Sequence, residues 1–426
     1  MKIRSIAPFL FALTLLVSAC GTDNTESEAM VPRTGPWRME LALTDSIANT
    51  THALPFLFDL EHTIDAWHVV IHNADESIIV DEVVFEEDHF VWKLPYFDTE
   101  FTGSIVNDST LVGQWHNYYK GANYAIAFTA KAGDFSRFEQ TGTTATLGNQ
   151  WESHFGTEQE EDAIGLFHQN GDHVTGTFAT ETGDYRYLDG TLRGDSLFLS
   201  TFDGSHAFLF KALLKNDTLC GRFWSGIHFQ EPWIAFRNPS FKLRNADSLT
   251  YLKEGYDMVD LSFPDIDGGV VASKAPENTG KVLVIQIMGS WCPNCVDESR
   301  LLQELYSKHH ANGLNIISLA FERDPNSTKA ITGLKRYRDG LDLDFPIALV
   351  GCANKDSTSV ALPFLNAVMS YPTCIFIGRD GMVRRIHTGF YGPGTGAERY
   401  AAYKQDIELF VTDLLKEPAI PMASRL

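Results

Sequence analysis

A chain of 426 residues is longer than one ordinary hydrophobic core supports, so two or three domains are expected. Hydrophobic residues at 44% and charged residues at 21% exclude extensive disorder. A formal net charge of -21, with no basic stripe to offset it, excludes nucleic acid as a partner, because such a surface repels phosphate.

At the start of the chain, Lys2 and Arg4 precede an apolar stretch from Ile6 to Val17 that is short for a bilayer span. Val17-Ser18-Ala19-Cys20 then sets small residues before a cysteine. This resembles the lipobox of a bacterial lipoprotein signal peptide. The resemblance implies removal of residues 1–19, a lipid on Cys20 that attaches the protein to a membrane, and export to the cell envelope. Gly21 stands where an aspartate would hold such a protein at the inner membrane, which points to the outer membrane, facing the periplasm. Residues 20–35, rich in Thr, Asn, Ser and Glu, read as a flexible tether.

Residues 36–245 read as β-rich and antiparallel: short alternating runs are broken by turn residues, as in Gly190-Thr-Leu-Arg-Gly-Asp-Ser-Leu-Phe-Leu-Ser200. Asn107-Asp-Ser-Thr-Leu and Asn216-Asp-Thr-Leu head similar phrases. These suggest either two related halves, 36–135 and 136–245, or one long up-and-down sheet. Trp92, Trp115, Trp151, Trp224 and Trp233 read as sheet core, with a ligand-binding surface as the alternative. Cys220 reads as a core residue. His62, His68 and His72, interleaved with Asp59, Glu61 and Asp65, read as a polar strand face rather than a metal site.

Residues 246–257 form a linker, and 258–420 alternate strands with helices, the pattern of a parallel or mixed α/β sheet. Val282 to Met288 is a buried central strand, and helical spacing starts at Cys295 and runs to Asn312. A strand over Leu314 to Phe321, a helix over Ser327 to Arg338 and a strand over Phe345 to Val350 follow. Next come a helix over Val360 to Met369, a hairpin of Thr373 to Gly378 with Val383 to Thr388, and a last helix over Ala397 to Lys416. The glycine-rich stretch Gly389 to Gly396 lacks the ending of a phosphate loop and reads as the turn into that helix.

Between the central strand and the helix stands Trp291-Cys292-Pro293-Asn294-Cys295. A cysteine at a helix N-terminus faces unpaired amide groups that favour the thiolate, so Cys292 is the candidate nucleophile. Cys295 and Glu298 follow at three-residue steps on one helix face, as resolving thiol and proton carrier, with Asp297 the other carboxylate within reach. A zinc site would need two more ligands nearby, which are missing. A structural disulfide over so short a loop would stabilise little.

Trp291 to Cys295 after a buried strand, Ser370-Tyr371-Pro372-Thr373 opening a later strand, and Phe376 to Gly381 beyond it together resemble a TlpA/ResA-type thioredoxin fold. The resemblance covers about Val259 to Leu415. It implies a cis bond at Tyr371-Pro372 beside the active site, with Trp291, Pro293, Asn294, Tyr371 and Thr373 flanking it. It also implies a redox-active Cys292-Cys295 disulfide, no cofactor, a protein disulfide as substrate and a membrane protein as electron donor. Gln286 and Met288 depart from the family pattern, with more consequence for packing than for chemistry. Cys352 and Cys374 could pair as a second disulfide or stay buried thiols. The expected molecule is therefore multidomain, an all-β N-terminal region followed by an α/β thioredoxin-like domain that reduces protein disulfides. The alternative is an envelope binding lipoprotein whose β region captures a client, with the redox domain secondary.

Overall fold

The computed structural model describes residues 30–45, 49–157, 161–325 and 328–419. Residues 1–19, Cys20 and the tether up to residue 29 lie outside the described residues. The fold is β-rich in its N-terminal part and α/β in its C-terminal part, the class that alternation and periodicity indicated.

From Gly35 to Ala132, eight antiparallel strands in sequential order close a barrel, strand Gly35–Asp45 pairing with strand Ala125–Ala132. Its inside and outside follow from period-2 alternation: Ile126, Phe128 and Ala130 are buried while Ala127, Thr129 and Lys131 face out. Trp37, Phe58, Trp92, Phe101 and Trp115 fill it.

Nine further strands from Gln150 to Arg237 form a second sheet. All but the two-residue strand Gly183–Asp184 close into a ring through the pairing of Glu161–Asn170 with His173–Thr180; the short strand hangs on the edge of His173–Thr180. The two Asn-Asp phrases sit in corresponding places. Each is the turn before the next-to-last strand of its ring, Thr110–Asn117 in the first and Thr218–Ser225 in the second. Cys220 corrects the sequence reading: its strand alternates with Leu219 inward, so Cys220 is exposed. The rings share a core, since Phe202 of the second stacks on Phe56 of the first with ring centroids 4.7 Å apart.

The C-terminal domain contains β1 (Val282–Met288), α1 (Pro293–His309), β2 (Leu314–Glu322), α2 (Thr328–Gly340), β3 (Ile347–Cys352), α3 (Lys355–Ala361), β4 (Thr373–Ile377), β5 (Val383–Thr388) and α4 (Ala397–Leu415). The sheet order is β3-β2-β1-β4-β5, with β1, β2 and β3 parallel and β4 and β5 antiparallel. Every residue of β1 is buried, because α1, α2 and α4 cover Val282 and Val284 while Val259, Leu261, Phe364 and Leu365 cover Leu283, Ile285 and Ile287.

The helix expected over Val360 to Met369 is not there. The helix starts earlier, where the Asn354 side chain accepts from the Ser357 amide at 2.8 Å, and it ends at Ala361. Pro363 cannot continue a helix and holds Leu362 out of it, so Leu362, Phe364 and Leu365 cover the sheet as a loop.

Candidate active site

Gly289-Ser290-Trp291 leads from β1 into α1, and Cys292 is the N-cap residue of that helix. Its sulfur accepts from the Cys295 amide at 3.2 Å and lies 3.4 Å from the Tyr371 carbonyl oxygen. Pro293 takes the first helical position, where a missing N–H breaks no bond. Cys292 is 6% exposed and Cys295 fully buried, both as free thiols. Tyr371-Pro372 is cis, and Thr373, whose hydroxyl donates to the Ser370 carbonyl at 2.8 Å, begins β4 beside it.

Beneath the cysteines lies a buried polar chain. Gln286, in the middle of β1, donates to Glu298 at 2.9 Å, and its carbonyl accepts from Ser299 and Ser318 at 3.1 and 2.8 Å. Burial pushes the Glu298 carboxyl up to about 7, although hydrogen bonds from Gln286 and Cys374 pull it down. Burial, together with the neighbouring Cys292, also raises the Cys295 thiol well above its ordinary range, and Glu298 adds to the rise. The sequence reading gave Gln286 a packing role; the structure makes it the fixed partner of Glu298. The available signal was one amide in a strand otherwise wholly apolar.

A second carboxylate flanks the site unannounced. Glu322, at the end of β2, accepts from the Ser290 amide and hydroxyl at 2.7 and 2.8 Å, and burial pushes it up to about 7. The Arg323 guanidinium lies 4.1 Å from the Trp291 ring centroid, and the Tyr371 ring meets Trp291 edge-on at 5.3 Å.

Two expectations are corrected. Asp297 does not face Cys295, since it pairs with Arg186 of the second ring and with Arg300 at 3.2 Å. Cys352 and Cys374 are unbonded, and two strands, β2 and β1, lie between β3 and β4, which carry them. At about 4.8 Å per strand that separation is far beyond disulfide reach.

The β region reaches the site directly. The Ser205 hydroxyl donates to the Trp291 carbonyl at 2.9 Å, Tyr119 and Ser290 hydroxyls are 3.2 Å apart, and Asn294 donates to the Asp184 carbonyl at 3.0 Å. Arg186 donates to the Pro293 carbonyl at 3.1 Å and pairs with Glu76, Asp203 and Asp297. Burial opposes its charge, and these carboxylates with Asp184 override that penalty. Nothing in the sequence marks these residues, because their partners in the redox domain lie between 86 and 171 positions away.

Among the described residues, no group of three or more His, Cys, Asp or Glu could hold a metal ion. His68 and His72 instead pair with Asp81 and Asp59 at 2.8 and 2.9 Å.

An N-capping Cys-x-x-Cys with a cis-proline beside it, on this sheet, gives the C-terminal domain the fold and the dithiol site of a thioredoxin-like thiol-disulfide oxidoreductase, and its likeness to known proteins is to the TlpA/ResA type. Residues 253–402 match the Redoxin family model. The chain is similar to the thiol-disulfide oxidoreductase ResA of Halalkalibacterium halodurans, 25% identical over 137 residues that make up 32% of this chain and 69% of that one. ResA of Bacillus thuringiensis is 29% identical over 119 residues, 28% of this chain and 60% of the other. Among solved structures, a secreted thiol-disulfide isomerase from Corynebacterium glutamicum aligns with 43% of this chain and 97% of its own, at 17% identity and a TM-score of 0.31.

Proposed function

We propose that this protein reduces protein disulfides in the cell envelope, held to the outer membrane by a lipid on Cys20 and resupplied with electrons by a membrane protein. Cys292 is the nucleophile. Its sulfur attacks one sulfur of the substrate disulfide; that bond breaks, the released substrate thiolate takes up a proton, and a mixed disulfide forms. Cys295 then gives its proton to the Glu298 carboxylate and attacks the Cys292 sulfur; the mixed disulfide breaks, and the second substrate sulfur leaves as a thiolate that takes up a proton. The protein is left with a Cys292-Cys295 disulfide, and a donor dithiol returns it to the reduced form. Pro372 and its neighbours Tyr371 and Thr373 wall the side of the nucleophile on which the substrate arrives.

One observation carries this reading: an N-capping sulfur hydrogen-bonded to the Cys295 amide, with the second thiol fully buried beside a carboxyl poised near 7. The test is the equilibrium potential of the pair, by thiol trapping across glutathione buffers. A value near about -270 mV supports a reductase, whereas one near about -120 mV makes the protein a disulfide donor and overturns the assigned direction. Failure of the pair to exchange at all removes the redox reading.

A further inference from the structure

The segment from Thr180 to Arg186 joins strand His173–Thr180 to strand Leu188–Arg193 of the second ring, and it crosses the face of the thioredoxin domain that carries Cys292. It touches three loops that border the nucleophile. On the cysteine turn, Asn294 donates to the Asp184 carbonyl and Arg186 donates to the Pro293 carbonyl. On the cis-proline loop, the Ser370 hydroxyl donates to the Thr182 carbonyl at 2.6 Å. On the glycine-rich turn after β5, the Tyr391 hydroxyl donates to the Thr180 carbonyl at 2.8 Å, and the Gly392 amide donates to the Asp184 carboxylate at 2.6 Å.

Two glycines of that turn leave room for this contact. A Cβ on Gly389 would stand 2.6 Å from the Thr182 carbonyl carbon, and one on Gly394 would stand 2.7 Å from the Arg186 backbone. Gly394 has no positive φ, so its own conformation does not require glycine. Only the approach of the segment does.

We infer that Thr180–Arg186 is an autoinhibitory strap, an internal occupant of the surface on which a protein disulfide must dock, which a client displaces to reach Cys292. The inference rests on the reading of Cys292 as a nucleophile toward protein disulfides. The cysteine turn, the cis-proline loop and the glycine-rich turn border Cys292, and Tyr119 and Ser205 of the rings close on the Ser290-Trp291 side. The strap lies across all three, and Cys292 is 6% exposed. Its contacts with the thioredoxin domain are hydrogen bonds and ion pairs, as in interfaces that open, while Tyr185 anchors it among Phe155, Phe178 and Phe210 of its own ring. Arg186 itself sits at φ 56, a conformation that a non-glycine residue keeps only under constraint. Its guanidinium is the latch, pairing with Glu76 of the first ring, Asp203 of the second and Asp297 of α1.

The test compares two reagents with the same electrophile on the reduced full chain, N-ethylmaleimide and a maleimide on a long polyethylene glycol, with modification of the Cys292 peptide followed by mass spectrometry. Three forms are used: the natural chain, Arg186→Met, which unlocks the latch, and Gly394→Ala, which pushes the strap away without touching the cysteines. In the natural chain Cys292 should react far more slowly with the bulky reagent than with the small one. In both variants that ratio should shrink by roughly tenfold or more, since apparent reactivity scales with the fraction of open molecules. Should Arg186→Met fail to fold, Gly394→Ala alone decides. Equal access by both reagents in the natural chain, or an unchanged ratio in a folded Gly394→Ala variant, overturns the strap. Reduction of insulin is measured alongside: if the ratio shifts but no form reduces insulin or exchanges with glutathione, the strap stands and the redox function falls.

Discussion

Glu298 is a buried acid that changes charge near neutrality, and its consequences run in two directions. In the catalysis proposed above, its unprotonated form would accept the Cys295 proton, so the resolving step should speed up as pH rises through about 7. Glu298→Gln should remove that inflection and slow the step on the order of a hundredfold; stopped-flow trapping of the mixed disulfide between pH 6 and 8 measures it. In stability, a carboxyl raised by burial favours the folded state most when protonated. That contribution is complete below about 4.5 and is lost as pH rises through about 7. Glu322 is raised to the same value for the same reason. Each shift corresponds to on the order of 3 kcal/mol. Denaturant melts of the reduced protein should therefore show stability falling between pH 5 and 8, and Glu298→Gln should flatten the slope. A flat profile in the natural chain would contradict the burial of both acids.

The same site shows, at the level of elements, what a sequence makes legible. Cys292, Pro293 and Cys295 could be placed because a helix N-terminus is a local structure, fixed by residues within one turn. β1 could be placed because seven apolar residues bounded by turns have few other homes. Asp297 could not be assigned, because its partner Arg186 is brought to it by tertiary packing. The α3 segment failed for a local reason that was available: Asn354 and Pro363 bracket a helix that the apolar residues alone placed too late. Gln286 lies between these cases, being visible as an oddity while its meaning depended on α1. Replacing it with Leu should leave Glu298 with one donor fewer and Ser318 without its acceptor, while Ser299 keeps the Tyr337 hydroxyl at 2.9 Å. The expected cost is about 1–3 kcal/mol per stranded group, and a further rise of the Glu298 carboxyl should move the kinetic inflection to higher pH.

Across the whole molecule, the two rings and the thioredoxin domain are coupled by different means. The rings share apolar core through Phe202, which is fully buried among Phe56, Phe101 and Trp115. Phe202→Ala should therefore lower the stability of both rings together by about 3–5 kcal/mol. It should leave the Cys292-Cys295 potential unchanged, which calorimetry and glutathione titration would separate. The rings meet the redox domain through polar groups and the Arg186 cluster, and the first ring also sets Phe97 into the redox domain's apolar core. The order of these parts along the chain has a consequence for biogenesis. Domains fold as units, the N-terminal ones first as a chain emerges. Thr180–Arg186 precedes Cys292 by more than a hundred residues and belongs to a ring that closes at Arg237. The cover is thus made before the thiols it covers, and the newborn cysteine pair folds directly beneath it, sheltered from mispairing with other unfinished chains.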